Sequence, residues 1–124
     1  NFKIEEDLIF DIKAFSKRNF DSINVNLFFN SVDGSTIFAT CSQPEECTKG
    51  NYLYRCIIPA YTLNDIIYNI DLMVVENGPK ILLDLKHIIS IEGIEDKREG
   101  AWLGKYPGLI RPQYFKWSKS SLDE

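Results

Sequence analysis

Ser22-Ile-Asn-Val-Asn-Leu-Phe-Phe-Asn30 alternates apolar residues with mostly amide-bearing ones over nine positions. A strand sends successive side chains to opposite faces, so Ile23, Val25, Leu27 and Phe29 share one face and Asn24, Asn26, Phe28 and Asn30 the other. Such a segment is a strand with one buried and one wet face. Asp7 to Phe15, upstream, alternates in the same way. Downstream, Val32-Asp33-Gly34-Ser35 supplies an Asp-Gly turn, and Thr36 to Cys41 returns as the second arm of a hairpin. Gln43 to Gly50 reads as a polar loop. Tyr52 to Ile58 is a further strand, stopped by Pro59, whose missing N–H cannot serve an interior ladder. Ile66 through Glu76 is β-branched and aromatic, and Asn77-Gly78-Pro79 turns it back into Ile81 to Glu92 as a second hairpin.

From Gly93 to Gly100 the chain is charged and glycine-bounded, and residues 93–106 are expected to form an exposed connection. A last short strand is expected around Leu109 to Trp117, with Phe115 and Trp117 in the core. No segment has the period of an amphipathic helix. About six or seven strands joined by turns predict an all-β fold, an antiparallel β-sandwich, although a barrel shares the local signature.

At 124 residues the chain is read as one domain spanning residues 1–124, long enough to bury a core without metal or disulfide support. A formal net charge of −4, with Lys and Arg nowhere in a run, argues against nucleic acid as a partner. No apolar run approaches the roughly 20 residues that span a bilayer, so direct membrane insertion is not expected. Asn1-Phe2-Lys3 is neither a signal peptide nor an initiator sequence, and the chain is read as the C-terminal part of a longer polypeptide. Three cysteines, Cys41, Cys47 and Cys56, are too few and too unevenly spaced for a secreted disulfide scaffold, which favours a reducing cytoplasm.

Phosphate-cradling glycine motifs are absent, so this chain is not expected to hydrolyse ATP. His87, the only histidine, lies in an apolar strand without metal-ligand spacing and reads as a sheet residue with a satisfied ring. Neither a metal nor a cofactor is expected. Carboxylates could pair as in a glycosidase, but most sit in turns or between Glu92 and Glu99, where solvation is the usual outcome.

Sugars show hydroxyls at their edges and C–H groups on their faces, so their sites combine a flat ring with amides, carboxylates or guanidinium groups. Asn24, Asn26 and Asn30 share one strand face, and Asn69 and Asp71 lie opposite Tyr68, Ile70 and Leu72 on another strand. Alternation leaves two readings open, a solvated outer surface or a binding sheet. Arg55 joins the candidates because its charge must emerge from a largely apolar strand. Trp102 and Tyr106, beside glycines in an irregular segment, are the candidate stacking rings.

Gly100-Ala-Trp-Leu-Gly-Lys-Tyr-Pro-Gly-Leu-Ile-Arg-Pro-Gln-Tyr-Phe-Lys-Trp117 resembles the ending of the C-terminal domain of O-antigen ABC-transporter ATPases, where a Gly-Val-(Val/Ile)-Arg-Pro element is followed shortly by Trp. Asp33-Gly34 through Thr40 is similar to that family's Asp-Gly turn and strand. Cys56-Ile-Ile-Pro59 through Leu63-Asn64 to Tyr68 is similar to its Ile-Pro, Leu-Asn, Gly-x-Tyr segment, with Ile66 or Ile67 in place of the glycine. The resemblance implies a jelly-roll or immunoglobulin-like sandwich that binds O-polysaccharide, often at its modified non-reducing end, and admits it to the exporter without catalysis. It also implies a parent ATPase working with a transmembrane exporter subunit at the inner face of the cytoplasmic membrane. A homodimer with exchanged C-terminal strands is implied as well. A structural dimerisation module and a fragment of a glycan-processing enzyme are the alternatives.

Overall fold

The computed structural model describes residues 1–95, 107–111 and 115–122. Its elements are β1 (Phe2–Lys3), β2 (Leu8–Ser16), β3 (Phe20–Asn30), β4 (Thr36–Cys41), β5 (Glu45–Cys47), β6 (Gly50–Ile58), β7 (Ile67–Glu76) and β8 (Lys80–Ile94). One sheet has six strands in the order β1-β8-β7-β3-β4, with β5 also paired to β3, and a second sheet consists of β2 and β6. All pairings are antiparallel except β1 with β8. The expected antiparallel sandwich is therefore the observed fold.

Both predicted hairpins form. Between β3 and β4, Gly34 takes φ +91° and its N–H donates to the Ser31 carbonyl, while the Asp33 carboxylate accepts from the Ser35 N–H at 3.0 Å. Between β7 and β8, Asn77 and Gly78 stand at φ 53° and 87°, a region that asparagine and glycine tolerate best.

Alternation fills the space between the sheets. Val25, Leu27 and Phe29 from β3 and Tyr68, Ile70 and Leu72 from β7 point inward with Ile58 and Leu63. Leu8, Phe10, Ile12, Tyr54 and Cys56 close over them from the second sheet. Phe29, fully buried, stacks on Phe38 at 4.4 Å between ring centroids and meets the edge of Phe10 at 5.6 Å, so one ring ties both sheets together. Burying a side chain of this size contributes roughly 1.5–3 kcal/mol.

Three expectations change. The segment read as a loop from Gln43 to Gly50 contains β5, because Glu45 and Cys47 pair with Ile23 and Phe20. Gly93 and Ile94 belong to β8 rather than to an exposed connection; Gly93 is buried, and a Cβ there would overlap the Asn64 carbonyl oxygen. Around Leu109 to Trp117 the described residues hold a single bridge, Leu63 with Ile110, in place of a strand. Phe115 and Trp117 are 68% and 96% exposed instead of buried, since no described element covers them.

Candidate functional site

Residues Tyr68 and Asn69 are neighbours on β7, and the pleat sends them to opposite faces, where each joins a different polar network. The inward one is a clasp at the end of the sheet. The Asn64 N–H donates to the Tyr68 hydroxyl at 2.7 Å, and that hydroxyl donates to the Leu109 carbonyl at 2.5 Å. The Asn64 amide donates to the Gly108 carbonyl at 2.7 Å and accepts from the Arg111 guanidinium at 2.8 Å. Arg111, 2% exposed, also reaches the Glu95 carboxylate at 2.9 Å. Burial pushes the Tyr68 phenol up to about 12. Leu63-Asn64, Tyr68 and Gly108 through Arg111 are residues on which the family resemblance rests. Their joint role here is to hold the returning chain against β7 and β8.

The outward network lies on the face of the six-stranded sheet turned away from β2 and β6. Register brings Asn24, Asn26, Phe28 and Asn30 opposite Val75, Met73, Asp71 and Asn69. The two polar strand faces thus lie on adjacent strands. Thr36 donates its hydroxyl hydrogen to Asn30 Oδ1 at 2.8 Å, and Asn30 Nδ2 donates to Asp71 Oδ2 at 3.0 Å. The His87 backbone N–H donates to Asp71 Oδ1 at 2.7 Å. His87 Nε2 meets Ser90 Oγ at 2.6 Å, and the Ser90 hydroxyl donates to Asn69 Oδ1 at 2.7 Å. Asn26 donates to the Met73 carbonyl at 3.4 Å.

A bulge builds the third side of this network. Ile70 pairs with Ile89 and Leu72 with Leu85, so Lys86, His87 and Ile88 on β8 face Asp71 alone on β7. The extra residues force His87 to φ 50°, an unusual conformation for a residue with a Cβ, and turn its N–H onto the Asp71 carboxylate. His87 is exposed with its ring satisfied, as expected, but it sits in a bulge rather than in a regular strand. Lys86 Nζ lies 3.3 Å from Asp84 Oδ1 and 3.9 Å from Asp71 Oδ2, which leaves one net negative charge among the three.

Of the sequence candidates, Asn24, Asn26, Asn30, Asn69 and Asp71 come together on this face. Arg55 does not. It stands on the outer side of the two-stranded sheet, where its guanidinium forks onto Asp11 at 2.7 and 3.0 Å. That pairing holds the Asp11 carboxyl below the usual carboxylate range. Trp102 and Tyr106 lie outside the described residues. Thr36, His87 and Ser90 were not among the sequence candidates, and only the bulge and the hairpin register bring them in. Among the described residues, cavities of about 130 and 800 Å³ open between the sheets, and neither is lined by Asn30, Asn69 or Asp71. The candidate site is an open sheet face. Among the described residues no group of three or more His, Cys, Asp or Glu side chains could hold a metal ion.

No protein-family model matches the sequence, and no curated protein matches it. Among solved structures, the fold matches the crystal structure of the C-terminal domain of Wzt, with a TM-score of 0.73 at 15% identity, over 94% of this chain and 72% of that one. The fold of this chain is accordingly that of the Wzt C-terminal domain.

Proposed function

We propose that this domain binds O-antigen polysaccharide without catalysis, on the outer face of its six-stranded sheet, and so delivers the glycan to an ABC exporter. One observation carries the reading. Asn69 and Asp71, partly exposed on one sheet face, are fixed by hydrogen bonds from Ser90, His87 and the buried Asn30, which pre-orients an amide and a carboxylate that a chain of sugar hydroxyls can use. Resemblance of the sequence to O-antigen transporter ATPases and likeness of the fold to Wzt, the ATP-binding protein of such a transporter, support the same reading. In this reading a nucleotide-binding domain precedes residue 1, and the whole works in the cytoplasm beside a transmembrane exporter subunit. Trp102 and Tyr106 remain candidate glycan contacts.

An open face buries little apolar area and exchanges sugar–water for sugar–protein hydrogen bonds, so the dissociation constant is expected on the order of micromolar to millimolar. Titrating the folded domain with the polysaccharide of its own source, followed by amide chemical shifts, tests the proposal. Shifts clustered at β3, β7 and β8 support it; an unchanged spectrum at millimolar repeat units refutes it.

A self-association role has its own support. The side of β8 facing the interior is incompletely covered, with Leu83 and Leu85 each 43% exposed and Ile89 48% exposed. A second copy contributing its C-terminal strand would shield them, in keeping with the dimer implied by the sequence resemblance.

A further inference from the structure

Between Asn24 and Asn30, the outward face of β3 has one residue that cannot hydrogen-bond through its side chain. Phe28 lies between Asn26 and Asn30 along the strand, opposite Asp71 on β7 and Ala39 on β4. Its neighbours Leu27 and Phe29 are buried in the core, 3% and 0% exposed, whereas Phe28 is half-buried on the opposite face. The fold does not require an aromatic ring there. A central strand is served as well by threonine or valine on a wet face, and a phenyl ring among amides gains only part of its transfer free energy.

We infer that Phe28 is the stacking ring of the glycan site and that its ligand is an uncharged pyranose. The inference rests on the glycan-binding reading above and specifies its chemistry. A pyranose lays its C–H face on the electron-rich face of an aromatic ring, leaving hydroxyls at the edge. Beside Phe28, Asp71 is the cross-strand partner and Asn69 lies one pair along, both partly exposed, while the buried Asn30 orients Asp71 through its amide. Ala39 leaves the β4 side low, while Met73, on the same face of β7, adds apolar surface beside the ring.

Charge narrows the ligand. Both oxygens of Asp71 accept hydrogen bonds from neutral donors, Asn30 Nδ2 and the His87 N–H, and Lys86 is shared with Asp84. The face therefore keeps a net negative charge beside the ring. An anionic sugar would meet the Asp71 carboxylate at close range, whereas a neutral sugar donates hydroxyl hydrogens to it.

The experiment uses the whole chain with its source polysaccharide and with two monosaccharide probes, methyl mannopyranoside and galacturonate. In the wild type, sugar C–H protons should move upfield through the ring current of Phe28. Phe28→Leu, which keeps an apolar side chain in place, should abolish that shift and weaken binding at least about tenfold. Phe28→Trp should retain both. Galacturonate should bind at least about tenfold more weakly than the neutral probe at low salt. If the wild type binds the polysaccharide and Phe28→Leu binds equally well, the stacking role is overturned while the site reading stands. Equal or tighter binding of galacturonate overturns the neutral-ligand assignment. Failure of the wild type to bind any glycan overturns the site reading and this inference with it.

Discussion

Two polar networks share strand β7, and they differ in what surrounds them. The clasp of Asn64, Tyr68, Glu95 and Arg111 is sealed, with Arg111 and Tyr68 at 2% and 0% exposure, and its side chains bond to backbone carbonyls and to one another. The network of Asn30, Asn69, Asp71, His87 and Ser90 has similar bond lengths but opens to solvent, with Asn30 buried at 7% exposure, Asn69 and Asp71 partly exposed, and His87 and Ser90 exposed. Buried polar groups must satisfy one another, because water is not there to do it. Exposed ones can exchange water for a ligand. One residue along a strand is enough to separate structural polarity from polarity available for binding.

The largest test of that difference is Arg111→Ala. It removes the guanidinium that reaches the Glu95 carboxylate, itself only 8% exposed, and a donor to Asn64. Breaking a buried ion pair from one side costs about 3–5 kcal/mol, a large share of a small domain's stability. Urea unfolding should show that loss as a lower midpoint with an unchanged slope. A loss below about 1 kcal/mol would mean that the clasp is as dispensable as a surface pair.

Much of this contrast was legible beforehand, and some of it could not be. The inward set on β3 and β7, and the amides facing away from it, follow from a period of two that needs only the local sequence. Register between β3 and β7 is a pairing property of two strands far apart in sequence, so the sequence could offer the alignment of polar faces but not the pairing of Asn30 with Asn69. The bulge at Lys86–Ile88 was not, because an extra residue in one strand is defined only against its partner, and His87 carries no mark of φ 50°. The clasp joins Asn64 to Arg111 across 47 positions, beyond the reach of any local pattern. Trp117 was expected inside on its hydrophobicity alone; burial also needs a covering element, and among the described residues the second sheet has two strands.

A subtler test uses pH. The Tyr68 phenol titrates at about 12 in the folded chain against 10.0 for an ordinary tyrosine, chiefly because burial disfavours the phenolate. The folded state therefore holds this proton more tightly than the unfolded one. Its contribution to stability is complete below pH 10 and is lost as pH rises towards 12. Lysines titrate in the same window, so the comparison is with Tyr68→Phe. That variant should be about 1–3 kcal/mol less stable at pH 7, where it strands the Asn64 N–H and the Leu109 carbonyl. The gap between the two proteins should narrow from pH 10 upward. A gap that is constant over this range would contradict the assignment of the sealed network to Tyr68.

The smallest effects come from a matched pair of carboxylate partners on the two outer faces. Asp71 and Arg55 each stand on the outward side of a sheet and each takes part in cross-strand charge pairing. Asp71 is bound into the open network, with its side chain 17% exposed, whereas Arg55 and Asp11 pair with each other at 54% and 42% exposure. Asp71→Asn keeps the shape and one acceptor oxygen, so its stability should fall by about 1 kcal/mol. Glycan binding should nevertheless weaken at least about tenfold, because hydroxyl donors lose a charged acceptor. Arg55→Ala should leave the unfolding midpoint and the glycan affinity unchanged within error, since an exposed pair is solvated as well apart as together. If Arg55→Ala weakened glycan binding as much as Asp71→Asn, the ligand would have to span both sheets, and the assignment of the site to the open face of β3, β7 and β8 would fail.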